Sequence, residues 1–441
     1  MKFKLIILLA LLSIGTMSAQ MKKWTLEECV FYAVENNLTV QQFELDLEDA
    51  RIDKSDAIGA LLPDLNGRSN LFGNQGLSFN PANQDPVTNS TSNFDANITS
   101  NLTLFDGLRS YNRLNRAKMN AIANQYRLDD LKDDIRLNVA NAYLSVLSNK
   151  ESLKVFKAQY AVTEQDLKRT AELVESGVVP RGDLLEIEAT AATQEQQIVN
   201  GEGLVIISRI NLAQLLQITD YENFDIADEE FDIPPSDILN NSAKVIFDKA
   251  LTFRNDIKFS LSNVALAEKD LDISKGARYP TLSGFFNYNT RWTDQNNAIG
   301  GFTDQLYIFD GIRYGVTLDV PVFNGFSVRN SVSRSRISLE KAKLQYEQDK
   351  LDLETNINQA YVDVTTFFKA YEAAEKTLEA RRLAYDYSKE RFNVGLMNAF
   401  DFSQAQSRVD NAEAEVIRTK YDYIFRLKIL EFYFGIPIRL N

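Results

Sequence analysis

The stretch ERFNVGLMNAFDFSQAQ, Glu390 to Gln406, breaks a long apolar spacing of three and four residues with one glycine, Gly395, and a short apolar run. Upstream of it, Leu353, Ile357, Ala360, Val364, Phe367, Tyr371, Ala374 and Leu378 hold that spacing without a gap. Such a run reads as one long amphipathic helix. The stretch ELVESGVVPRGDLLEIEA, Glu172 to Ala189, makes the same break with the same spacing from glycine to aspartate. The two breaks lie 395 − 177 = 218 residues apart, and so do the two aspartates, 401 − 183 = 218.

Working outward, the match extends over most of the chain. NVANAYLSV (Asn138 to Val146) lines up with NINQAYVDV (Asn356 to Val364), and LFDG (Leu104 to Gly107) with VFNG (Val322 to Gly325). LLPDLNG (Leu61 to Gly67) meets RYPTLSG (Arg278 to Gly284) after a one-residue slip. A period this long exceeds the ~20 to 50 residues of a solenoid repeat, so the pattern is a duplicated domain-sized unit. The first copy spans residues 20–226 and the second 242–441, joined by the Pro-Pro linker 227–241.

Each copy reads as helix, two strands, then a long antiparallel helical hairpin. The first helices run from about Leu26 to Ala60, opened by a Thr25/Glu28 capping box, and from about Ser242 to Ala277; they stop before Pro63 and Pro280. Strands are expected at about 65–72, 94–105, 282–292 and 312–323. FDANITSNLTLF sets Phe94, Ala96, Ile98, Leu102 and Leu104 on one face and polar residues on the other. The polar stretches between paired strands read as long hairpin loops, and Asn89, Asn97 and Asn101 as polar strand residues instead of glycosylation sites. The long hairpins are expected over 107–216 and 325–433. Their first arms, about seventy residues at ~1.5 Å each, would reach roughly 100 Å.

Other features set the cellular context. MKFKLIILLALLSIGTMSAQ has the layout of a secretory signal peptide over residues 1–19. Cys29 is the single cysteine, so no intrachain disulfide is possible. Histidine is absent, which removes Ser-His and Cys-His catalysis and imidazole metal ligands together. No catalytic residue, cofactor or metal site is expected. A formal charge of −13 argues against nucleic acid as a partner. The paired acids Asp129-Asp130 and Asp133-Asp134 read as solvated helix faces.

Strands of about 12 residues are long enough to cross a bilayer at a tilt, which takes about 9 to 11. Four strands cannot close a barrel, and open edges are not tolerated in lipid. A membrane reading therefore requires oligomerisation. The competing reading is a secreted coiled-coil structural or adhesion protein whose short strands cap a helical rod.

With the duplication, LFDGLRS and VFNGFSV, AYLSV and AYVDV, and the two break motifs taken together, the sequence resembles the TolC-type outer-membrane efflux protein family. That resemblance implies a mainly α fold with a β-barrel portion: a homotrimer with a 12-stranded outer-membrane barrel continuous with a periplasmic α-helical tunnel. It implies an exit duct receiving substrates from an inner-membrane transporter through a periplasmic adaptor protein.

The break itself has a complete local explanation. Gly177 and Gly395 can take the left-handed conformation that ends a helix. Asp183 with Glu186, and Asp401 with Gln404, fit an Asp-x-x-Glu/Gln helix start. Function need not exclude that role, because carboxylates recurring around a symmetry axis would favour cations in the opening. The resemblance places Asp401 at the periplasmic aperture with Asp183. Gln404 stands where the family's archetype carries a further acid, and Met397 where it carries arginine. By the same resemblance, Gly177, Val178, Val394, Gly395 and Leu396 meet the adaptor; turn packing accounts for them equally well.

Overall fold

The structure is a computed structural model that describes residues 23–79, 85–227, 233, 236–295 and 300–437. The expected signal peptide and most of the Pro-Pro stretch of the linker lie outside the described residues. The first repeat contains β1 (Lys23–Trp24), α1 (Leu26–Asn36), α2 (Leu38–Gly59), β2 (Asn66–Phe79), β3 (Pro86–Phe105), α3 (Arg109–Glu175) and α4 (Arg181–Leu215). After β4 (Asp225–Ile226), the second repeat contains α5 (Ala243–Phe253), α6 (Asn255–Gly276), β5 (Thr281–Thr293), α7 (Phe302–Ile308), β6 (Gly311–Asp319), α8 (Ser327–Asn393) and α9 (Ala399–Tyr433).

Equivalent helices have identical lengths. Both α1 and α5 have 11 residues and both α2 and α6 have 22. The arms α3 and α8 each have 67, and the return arms α4 and α9 each have 35.

Three expectations are corrected. The single helix expected from Leu26 to Ala60 is broken at Asn37, and its counterpart at Arg254; both residues are extended, with ψ of 124° and 132°. No glycine or proline marks these breaks. Side chains stabilise the restarts instead: Asn37 Oδ1 accepts from the Thr39 amide at 2.9 Å, and Asp256 Oδ1 from the Ile257 amide at 2.7 Å. Next, the first hairpin is longer than expected. Its ladder runs unbroken from Asn66↔Thr99 to Phe79↔Pro86, through residues read as loop, because backbone pairing needs no apolar side chains. Finally, the polar stretch between β5 and β6 contains α7, whose Phe302 packs on Phe94 and Trp292 at ring-centroid distances of 5.3 and 5.5 Å.

The chain forms two compact units that each draw on both repeats. One takes its described residues from Met1–Glu44, Arg127–Ile257 and Asp349–Asn441, the other from Leu45–Tyr126 and Lys258–Gln348. The second unit holds an antiparallel sheet in the order β2-β3-β5-β6. Its register puts Leu71, Phe94, Trp292, Ile98, Tyr288 and Ile312 on one face. Arg68, Asn97, Asn289, Asp95, Arg291 and Thr317 share the other. One face is thus apolar and one polar, and β2 and β6 each keep an unpaired edge among the described residues.

The first unit carries most of the helical core. Trp24 and Ile226 flank the short parallel β1–β4 pair, and the Tyr143 hydroxyl donates to the Trp24 carbonyl at 3.3 Å. Of the α3 acids read as a solvated face, Asp134 is exposed but Asp129, Asp130 and Asp133 are half-buried. Arg254, mostly buried, forks onto Asp256 at 2.8 and 3.2 Å and lies 3.8 Å from Asp130. Burial, with the neighbouring Asp256 carboxylate adding to it, pushes Asp130 up to about 6 against the opposing pull of Arg254.

Candidate functional site

The two breaks are helix-to-helix turns of one design. Gly177 has φ +69°, the Val178 amide donates to the Leu173 carbonyl at 2.9 Å, and the Gly177 amide to Val174 at 3.0 Å. Gly395 repeats this at φ +74°, with Leu396 to Arg391 at 2.8 Å and Gly395 to Phe392 at 3.0 Å. The crossed pair of bonds satisfies carbonyls that a helix end leaves open, and the left-handed residue between them favours glycine. Having left the helix, the chain exposes apolar side chains: Val178 and Val394 are each 67 % exposed and Leu396 70 %.

The following helices start earlier than expected, and the aspartates are not their caps. The cap of α4 is Pro180, which offers no side-chain acceptor. The cap of α9 is Asn398, whose Oδ1 accepts from the Asp401 amide at 2.8 Å. Asp183 and Asp401 each stand two residues inside the first helical residue, in the first turn, where a carboxylate favours the positive end of the helix dipole.

From these equivalent positions the two acids do different things. Asp183 is half-buried and reaches across to the other hairpin, its Oδ1 accepting from the Ala399 amide at 3.3 Å. It therefore satisfies an open amide of α9, not of its own helix. Asp401 stays exposed, accepting from Asn398 Nδ2 at 3.0 Å, and lines a hollow of about 220 Å³ with Arg381 and Arg408. Gln404 is exposed beside it and accepts from Arg408 Nη2 at 3.0 Å.

The turns come together as one site. Asp183, Val178, Val394, Gly395 and Leu396 line a groove of about 550 Å³. At its wall Arg169 Nη1 donates to Asn393 Oδ1 at 2.7 Å, tying the end of α3 to the end of α8. Beneath it the buried Phe402 stacks on Phe392, 4.5 Å between centroids and 2° between planes, and on Tyr385 at 5.6 Å. The sequence reading missed Phe402 and Asn398. For Asn398 the signal was present as Asn-x-x-Asp, an amide cap three residues before an acid.

The chain thus combines an antiparallel sheet with one apolar and one polar face and long helical hairpins that end in exposed apolar turns. Its repeats are matched separately by one family: the Outer membrane efflux protein family covers residues 32–216 and again 246–435. The chain belongs to that family, and its place is the outer membrane. It is similar to the outer membrane protein TolC of Vibrio cholerae, 22 % identical over 96 % of this chain and 93 % of that protein. The proteases secretion protein PrtF of Dickeya chrysanthemi is 21 % identical over 77 % of this chain and 73 % of its own. Among solved structures, the CmeC outer membrane channel of Campylobacter jejuni superposes with a TM-score of 0.81 at 18 % identity, covering 93 % and 85 % of the two chains. The outer membrane protein VceC of Vibrio cholerae gives 0.78 at 13 % identity, over 94 % and 97 %.

Proposed function

We propose that residues 1–19 direct export and are then removed, and that the chain assembles as a homotrimer whose three four-stranded sheets close one 12-stranded outer-membrane barrel. The helices of the three copies then enclose a periplasmic tunnel. It is an exit duct and not an enzyme, serving the efflux or protein-secretion roles that the names of its relatives carry. The observation that supports this best is the four-stranded sheet with one apolar face and two unpaired edges. In lipid, each unpaired backbone group costs several kcal/mol, and closure with further copies removes that cost.

In this reading the paired turns are the periplasmic mouth. Asp401, exposed beside Gln404, supplies the charge of the aperture, and Asp183 fixes the two hairpins to each other. Val178, Val394 and Leu396, with Gly177 and Gly395 shaping their turns, form the surface that meets a periplasmic adaptor, which links the duct to an inner-membrane transporter. Partitioning into outer membranes after a high-salt wash tests the assignment, and recovery as a soluble rod would overturn it. In planar bilayers, Asp401→Ala raises single-channel conductance or weakens block by multivalent cations; no change in either removes Asp401 from the aperture.

A further inference from the structure

The short helix α7 lies on the apolar face of the sheet. Phe94 and Trp292 stand opposite each other across β3 and β5 on that face, and Phe302 at the start of α7 packs on both. Thr290, two residues further along the same face, donates its Oγ1 to the Leu306 carbonyl at 2.6 Å. Between these contacts Gln305 is fully buried: its Oε1 accepts from the Thr293 amide at 3.1 Å and its Nε2 donates to the Gly300 carbonyl at 3.2 Å. These contacts fall on the central part of the sheet, because β3 and β5 are its two inner strands. The helix is therefore seated away from both unpaired edges and off the polar face.

The side of α7 turned from the sheet is mixed. Its last turn exposes Tyr307, 84 %, and Ile308, 56 %. Its first turn exposes Asp304, whose Oδ2 accepts from the Gly301 amide at 3.0 Å, and Asp310 is exposed just past its end. The carboxylates need water, and open helix ends are not tolerated in hydrocarbon. Tyr307 and Ile308 gain by leaving water, and a tyrosine ring suits a boundary with one side apolar and the other wet. The first turn rests on Trp292 and the last on Thr290, so the apolar end of the helix lies nearer the middle of the sheet.

The length of the apolar face agrees with that boundary. On β5 it runs from Trp292 to Leu282, and 292 − 282 = 10 residues. At ~3.3 Å each and a tilt of about 35–45°, they rise about 25 Å, the height of the apolar band on an outer-membrane barrel. Helix α7 stands at one end of that span, opposite the end where α6 enters β5 and β6 leads on to α8.

We propose that α7 is an interfacial helix, seated outside the sheet at the boundary of the outer leaflet, with Tyr307 and Ile308 against lipid acyl chains and Asp304 in the headgroup water. The inference rests on the outer-membrane reading and adds a lipid contact made by a loop helix instead of a strand. A second copy joined at the edges would meet β2 or β6, not the strands that carry α7. A plug of the duct would have to lie on the polar face.

The test uses the full chain, with Cys29→Ala as background, in vesicles of phosphatidylethanolamine and lipopolysaccharide. A nitroxide is attached to Ile98→Cys, Asp304→Cys, Tyr307→Cys or Ile308→Cys, and its accessibility to oxygen, which concentrates in lipid, is compared with that to a water-soluble nickel chelate. The ratio of oxygen to nickel accessibility is expected to be at least threefold higher at 307 and 308 than at 304, and high at 98. A label at 98 in lipid, with 307 and 308 as open to nickel as 304, overturns the interfacial helix alone. A label at 304 as shielded from nickel as those at 307 and 308 overturns its seating at the boundary. A label at 98 in water overturns the membrane placement of the sheet and the helix together.

Discussion

Two stretches of the same helical packing differ in how much polar side chain they bury. Away from the turns, α3, α8 and α9 bury Tyr143, Val146, Ile357, Val364, Ile424 and Leu427 almost completely. Next to the turns, α3, α4 and α9 bury the polar Thr163, Gln194, Ser403, Gln406 and Asp410 alongside Ile187 and Phe402. The polar residues are joined by hydrogen bonds: Gln406 Nε2 to Thr163 Oγ1 at 2.7 Å, Gln194 Nε2 to Asp410 Oδ2 at 2.8 Å, and Thr190 Oγ1 to Ser403 Oγ at 2.9 Å. Apolar burial stabilises in proportion to area, about 25 cal/mol per Å², with little demand on geometry. A buried hydrogen bond contributes only about 1 kcal/mol net and costs more than that when one partner is removed. The polar stretch therefore fixes which residues face each other while giving little margin, and it should open locally at lower free energy than the apolar stretch.

The largest expected effect lies at the apolar end. Leu427→Ala removes a fully buried side chain and should cost about 2 to 5 kcal/mol. In native-state hydrogen exchange, amides near Leu427 should lose protection by that amount. Gln406→Leu leaves Thr163 its bond to the Gln159 carbonyl at 3.3 Å, and should cost about 1 kcal/mol, read near Gln406. A greater loss from Gln406→Leu than from Leu427→Ala would break the comparison.

A pH effect sharpens it. Burial pushes Asp410 from the ordinary 3.8 up to about 6, against the Gln194 hydrogen bond, with Glu413 adding to the rise. The folded state thus holds the proton more tightly than the unfolded chain between those values, so stability falls as pH rises through about 6. Protection of amides in 403–413 should increase from pH 7.5 to pH 5. Asp410→Asn should remove that slope and raise protection at pH 7.5. Asp130, also raised to about 6, titrates in the same direction away from these amides, so exchange must be read locally.

How much of this could be read from residues alone follows from what each feature needs. The long arms, the duplication and the two turns are written in apolar spacing and in Gly177 and Gly395, because a left-handed residue at a helix end has few substitutes. The breaks at Asn37 and Arg254 carry no such mark, since their restarts rest on single side-chain bonds. Asp183 and Asp401 look like caps in sequence because acids are common there, but the same preference extends through the first turn. The polar layer was invisible for another reason. Gln194 and Asp410 resemble surface residues in sequence, and only their pairing between α4 and α9 makes them core.

The smaller effects concern the helix ends. Asn398→Ala removes the acceptor for the Asp401 amide and should cost about 1 kcal/mol, whereas Asp401→Ala should cost less, since it leaves that cap in place. Both should register as lost protection in the first turn of α9.

The smallest effect is at the far end of the return arms, where the copies differ. Gln217 has φ +60° and its equivalent Gly435 +85°, and both are flanked by the same crossed bonds, Ile218 to Ala213 and Ile436 to Glu431, each at 2.9 Å. A side chain in the left-handed region is strained by roughly 1 kcal/mol, so Gln217→Gly should stabilise α4, less the added freedom of the unfolded chain, by about 0.5 kcal/mol. The reverse change, Gly435→Gln, should destabilise by more, because a Cβ there would meet the Phe253 ring at 3.1 Å. The strained residue sits where Leu212 and Leu216 are fully buried beside it. Both turns over the polar stretch use glycine. A well-packed apolar end can tolerate a left-handed glutamine; placing glutamine at Gly177 or Gly395, where one aromatic stack lies over hydrogen-bonded layers, should lower local protection by more than Gln217→Gly raises it.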